Sequence, residues 1–138
     1  MIDFNFETDF LLDGIENYKK WIFSVIETYG FEVGDISYIF CDDKYLLQIN
    51  QQYLNHDDLT DIISFDYSEE KLISGDIFIS IERVQENASL FKVDFQQELL
   101  RVMSHGILHF IGFKDKNEKD QLEMRKNEDI CIEKYINN

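Results

Sequence analysis

The chain has 138 residues, 44% of them apolar and 14% aromatic, enough to close one hydrophobic core without covalent staples. Thirteen basic residues against 28 acidic ones give a formal charge of −15, which argues against a generic nucleic-acid coating protein, because such binding rests on Lys and Arg displacing phosphate counterions. Cys41 and Cys131 stand far apart and outside any C-x-x-C pair, so neither a disulfide framework nor a thiolate metal site is expected; with no charged-then-apolar leader and no apolar stretch near the ~20 residues of a bilayer span, the expectation is a cytoplasmic protein without membrane association.

The chain lacks Pro, a Gly/Ser linker and a repeat, so residues 1–138 are read as one domain. Residues 2–6 alternate apolar and polar side chains, the period-two pattern of a half-buried strand. Ile15, Tyr18, Ile22, Val25, Ile26 and Tyr29 then recur at helical spacing up to Gly30. Residues 35–41 read as a largely buried strand, and Asp42 or Asp43 caps a second helix that runs to about Asn55. Ile62–Phe65 and Ile77–Ile81 are predicted strands joined by the polar stretch Asp66–Asp76. Three helices follow, at about 82–91, 95–111 and 118–135, the middle one burying Leu99, Leu100, Met103, Ile107 and Leu108 and ending at Gly112. The predicted class is α+β, a small mixed sheet of about four strands covered by about five helices.

His105 and His109 lie four residues apart in the predicted 95–111 helix, which puts both imidazoles on one face, one turn apart. Two neutral imidazoles so placed can occupy two corners of a tetrahedron around one ion, and a chain turning back at Gly112 can bring the Asp115 carboxylate to a third. Water at the fourth corner would make the centre catalytic, like the metal helix of zincins. The competing reading is an ordinary pair of partly buried histidines, although no carboxylate stands nearby in sequence to pair with them. Peptide hydrolysis of the H-E-x-x-H kind is disfavoured, because the residue after the first histidine is Gly106, which cannot act as the base.

The segment Ser104-His105-Gly106-Ile107-Leu108-His109-Phe110-Ile111-Gly112-Phe113 closely resembles the H-G-x-L-H-L-x-G-[YF] signature of the YbeY family. Thr60-Asp61-Ile62-Ile63-Ser64-Phe65 is similar to that family's T-[DN]-V-L-S-F segment, Gly75-Asp76-Ile77 to its G-D-I, and Ile49-Asn50 with Tyr53 to the end of the helix before them. The resemblance implies a single-strand-specific endoribonuclease of bacteria that acts in 16S rRNA 3′-end maturation and ribosome quality control, with one Zn2+ per chain. It implies ribosomal RNA as partner, and ribosomal or ribosome-assembly proteins with it. Two positions depart from the pattern. The third metal ligand is usually a histidine, where this chain has Asp115, and a carboxylate there leaves a zinc-bound water less acidic than a third imidazole would. The arginine that usually follows the tyrosine aligns with Leu54, so a phosphate contact must come from elsewhere.

Six of the thirteen basic residues, Arg101, Lys114, Lys116, Lys119, Arg125 and Lys126, fall between positions 101 and 126. Of these Arg101, Lys114 and Lys116 are the candidates to neutralise phosphate. Thr60 and Ser64, on the segment that the family places beside the metal, are candidate substrate contacts, and Asp61 is read as either a turn cap or the carboxylate that orients a ligand imidazole. His56 reads as exposed in a polar loop. Two other functions stay open: a metal-containing ribosome-associated binding factor without nuclease activity, to which the acidic charge is suited, and a metal hydrolase of small phosphoesters.

Overall fold

Four runs of β-branched and aromatic residues pair into one mixed sheet in the order β1-β2-β4-β3, in a computed structural model that describes residues 1–56 and 58–137. The strands are β1 (Ile2–Phe6), β2 (Glu32–Cys41), β3 (Ile62–Asp66) and β4 (Leu72–Ser80). The helices are α1 (Ile15–Thr28), α2 (Asp43–Leu54), α3 (Ile81–Phe91), α4 (Phe95–Ile111) and α5 (Glu118–Ile136). β1, β2 and β4 run parallel, and β3 closes one edge antiparallel to β4. The α+β class, four strands and five helices agree with the sequence reading.

Two strands begin earlier than their sequence suggests. β2 starts at Glu32 and β4 at Leu72, because Glu32 pairs with Leu72 and Val33 with Ile73 before a register irregularity between Val33 and Ile36. Gly34 sits at that irregularity, against the Ile73 carbonyl and the Ser74 side chain, where any larger residue would collide. Local propensity reads such a stretch as loop, and long-range pairing overrides it. Of the polar loop around His56, Asp57 lies outside the described residues.

One sheet face, carrying Ile36, Tyr38, Phe40, Ile77 and Ile79, packs on α1 and α4, with α5 laid against both helices. The other face uses Ile63, Phe65 and Phe78 against Leu46 and Ile49 of α2. Each large side chain buried this way contributes about 1.5–3 kcal/mol. Buried hydrogen bonds fix the stacking: Trp21 Nε1 donates to the Cys131 carbonyl at 2.8 Å, tying α1 to α5, and the Tyr38 hydroxyl donates to the Met103 carbonyl at 2.9 Å, tying β2 to α4. Both cysteines are buried and free. No described helix is long and apolar enough to cross a membrane.

Candidate metal centre

α4 is set on the sheet by its own sequence. Asp94 caps it, its side chain accepting from the Gln97 N–H at 2.8 Å, and Gly106 lets its middle approach β3 and β4, since a Cβ there would lie 3.0 Å from Ile77 Cδ1 and 3.1 Å from Ile62 Cδ1. The helix ends where Gly112 takes φ +126°, with its N–H donating to the His109 carbonyl at 3.1 Å and that of Phe113 to Leu108 at 2.9 Å. This paired closure satisfies the last carbonyls and reverses the chain. Residues 113–116 then lead directly to Asn117, whose side chain caps α5 by accepting from the Asp120 N–H at 2.8 Å.

That turn places Asp115 over the last turns of α4. Its Oδ2 lies 3.4 Å from His105 Nε2 and 3.4 Å from His109 Nε2. All three donor atoms fall within 4.8 Å of one another. Nitrogen and oxygen donors held ~2.0–2.1 Å from an ion at tetrahedral corners are themselves roughly 3.3 Å apart, so the two measured separations match the edges of such a tetrahedron. Two imidazole nitrogens and one carboxylate oxygen are also a donor set that suits zinc and similar transition metals.

His105 has a bracing partner that no local spacing announces. Its Nδ1 lies 2.6 Å from Oε2 of Glu128, on α5. An ionised carboxylate only accepts, so the ring proton sits on Nδ1 and the Nε2 lone pair points to the Asp115 side. Glu128 is in turn held by Arg101, whose Nη1 donates to Oε1 at 3.0 Å while Nη2 donates to Asp129 Oδ1 at 2.7 Å. In the polypeptide alone, burial works to lower the His105 pKa, and Glu128, Asp115 and Asp61 outweigh it and leave the ring above its usual 6.5. The signal for Glu128 in the sequence is an acid on the apolar stripe Met124, Cys131 and Ile132, buried at 5% exposure.

The other predicted site residues separate into groups. Asp61 does not take the imidazole nitrogen, which Glu128 holds; it lies near His105, accepts from Asn87 Nδ2 at 3.3 Å, and burial pushes its carboxyl up. Arg101 is engaged by Glu128 and Asp129 instead of facing outward. Lys114 and Lys116 are exposed on either side of Asp115. Thr60 turns its hydroxyl to the Ile62 carbonyl at 3.4 Å and, with Ser64, Leu54 and the exposed His56, lines a separate cavity of about 480 Å³.

Beside His105 a second cavity, of about 230 Å³, opens between α3, α4 and α5. Ile62, Phe91 and Val102 supply apolar wall, and Asp61, Glu98 and Arg125 supply charge. Glu98 is only 4% exposed. Burial and then Asp61 push its carboxyl up, opposed by Arg101 and Arg125.

Fold and site together define a single-sheet α+β protein with a His-His-Asp cluster, able to hold one metal ion, on its central buried helix and the turn that follows it. The profile of the family described as Endoribonuclease YbeY matches residues 5–136, and the chain belongs to that family. It is 60% identical over 129 residues to the Endoribonuclease YbeY of Flavobacterium psychrophilum, covering 94% of this chain and 92% of that one. The protein of the same name from Karelsulcia muelleri is 45% identical, with 99% of each chain covered. Among solved structures, the solution structure of TM1509 from Thermotoga maritima superposes with a TM-score of 0.72 at 31% identity, over 98% of this chain and 89% of that one.

Proposed function

We propose that the chain is a zinc-dependent endoribonuclease that cuts single-stranded RNA, and that its substrate in the cell is ribosomal RNA during 16S 3′-end maturation and ribosome quality control. The observation that carries the reading is the pair of equal 3.4 Å separations from Asp115 Oδ2 to the two Nε2 atoms, in a chain whose relatives are named endoribonucleases. His105, His109 and Asp115 would hold one Zn2+ per chain, which when bound supplies Lewis acidity and brings the pKa of a coordinated water to ~7.

The chain's own residues do the rest. Glu128 keeps the proton of His105 on Nδ1 and fixes the ring plane, and Arg101 holds Glu128 in place, which is its role here in preference to a phosphate contact. Lys114 and Lys116, flanking Asp115, neutralise phosphate oxygens of the bound RNA. Asp61 shapes the cavity beside His105, and Thr60 and Ser64 contact the strand where it leaves the centre. Ribosomes place this activity in the cytoplasm, and the −15 charge suits contact with basic ribosomal or assembly proteins, leaving only a local basic rim for RNA.

The test joins elemental analysis to RNA cleavage. The purified chain should carry one zinc, cut a single-stranded RNA in preference to its duplex, and lose both properties in His109→Ala. Equal rRNA end-processing by a folded, metal-less variant would transfer the function to a scaffold role. Turnover of small phosphodiesters with RNA left intact would identify a small-phosphoester hydrolase instead.

A further inference from the structure

The cavity beside His105 has a chemistry that the metal centre does not use. Glu98 lines it from the first turns of α4, is 4% exposed, and has no hydrogen bond or ion pair to its carboxylate among the described residues. Its two oxygens are not sealed from solvent, and a pair of acceptors that no protein donor occupies suits a ligand that brings N–H groups. Ile62, Phe91 and Val102 add apolar lining, which suits a flat ring system. At about 230 Å³ the cavity is smaller than the roughly 300–1,000 Å³ of sites for larger ligands, so it takes one ring system. Arg125 lines it from α5, exposed and with no ion-pair partner among the described residues, so it offers positive charge to a phosphate. His105 lines the cavity and also belongs to the His105, His109 and Asp115 cluster, so the two adjoin.

We propose that this cavity is a nucleobase subsite that selects guanine, the base next to the cleaved bond, through its N1–H and 2-amino donors on the Glu98 carboxylate; the role in cleavage rests on the endoribonuclease reading above. The choice among bases follows from their Watson–Crick edges. Guanine alone of the four presents two donors side by side, matching the two acceptors of one carboxylate. Adenine and cytosine set a ring nitrogen acceptor beside the amino group, and uracil flanks its single N–H with two carbonyls, so each turns a lone pair toward a buried anion. Asp61, already accepting from Asn87, is a second carboxylate in the lining and adds to the exclusion of acceptor-rich edges.

The test compares guanosine and inosine, which differ only in the 2-amino group. The zinc-loaded chain is titrated calorimetrically with guanosine 5′-monophosphate and with inosine 5′-monophosphate, whose shared phosphate contributes equally to both. Inosine monophosphate should bind roughly tenfold more weakly. Glu98→Gln, which presents an N–H where an acceptor is needed, should reduce that ratio to about one while zinc content stays at one per chain. Equal binding of the two nucleotides by the wild-type chain, or a ratio unchanged in Glu98→Gln, overturns the proposal without needing any variant to be active. In parallel, uridine-tract RNAs carrying one guanosine, inosine, adenosine or cytidine are cut by the wild-type chain. Cleavage concentrated beside guanosine is expected. Cleavage at equal rates beside all four overturns the link between the cavity and the reaction. If nothing is cut while the guanosine–inosine ratio holds, the base subsite stands and the endoribonuclease reading falls.

Discussion

His105 and His109 are the same residue type one turn apart on one helix, yet the protein treats them differently. His105 is backed by Glu128, which is backed by Arg101, itself shared with Asp129. The Nδ1 of His109 has no protein partner among the described residues, and its side chain is 31% exposed against 21% for His105. One side of the centre is therefore preorganised by a chain of charged hydrogen bonds reaching into α5, and the other is left to solvent. The lesson is that two equal candidate ligands can be placed unequally: one is braced in advance, while the other is not.

The sharpest test of that asymmetry replaces each histidine in turn. Both His105→Ala and His109→Ala should lose the metal and lower RNA cleavage by roughly 10³-fold or more, read by elemental analysis and kinetics. In chelator the two variants should part company. His105→Ala strips Glu128 of one partner in a buried place and lowers the melting temperature, whereas His109→Ala melts close to wild type; equal melting would break the comparison.

Glu128→Gln probes the bracing alone. Metal affinity should fall about 10–100-fold with all three ligands intact, measured by competition with a chromophoric chelator. The loss in stability should stay below the roughly 3–5 kcal/mol of a fully buried pair, since Arg101 keeps Asp129. Gly106→Ala acts on the seat of the braced turn: its Cβ would meet Ile77 and Ile62, and a cost of about 1–3 kcal/mol should appear in urea unfolding.

The smallest effect is a pH dependence. Burial holds the Glu98 carboxyl above its ordinary 4.5 in the folded chain, so the unfolded chain releases that proton at lower pH. The penalty is absent below pH ~4.5 and grows as pH rises toward the folded pKa. Glu98→Gln removes it and should raise the melting temperature at neutral pH more than at pH 4, measured in chelator to keep metal out of the comparison.

How much of this was legible in the sequence follows from range. The His105–His109 spacing, the Gly112 stop and Asp115 are local, and helical geometry with a cap converts them into positions without knowledge of the rest of the chain. Glu128 lies 23 residues past His105 on another helix, so its meeting with the ring depends on how α5 docks, which no periodicity states. The same limit hid the role of Arg101, which reads as a free cation in a basic stretch and is a clamp in the fold. The early starts of β2 and β4 were illegible for a related reason, because Gly34 and Gly75 are poor strand formers that the Glu32–Leu72 and Ile36–Gly75 pairings recruit anyway. Asp61 was seen as a carboxylate near the centre, but which nitrogen it serves is a matter of tertiary distance.

The short connection from Gly112 to Asn117 has a last consequence. Asp115 hangs between a helix stop and a helix cap, and the histidines belong to the first of those helices while Glu128 belongs to the second. An ion gripped by the three ligands is therefore also a rivet between α4 and α5, and its binding free energy adds to the docking of the C-terminal helix. Thermal resistance of the chain should then track the free concentration of the metal, and a chelator should act on it as a mild denaturant whose first effect is to loosen that helix.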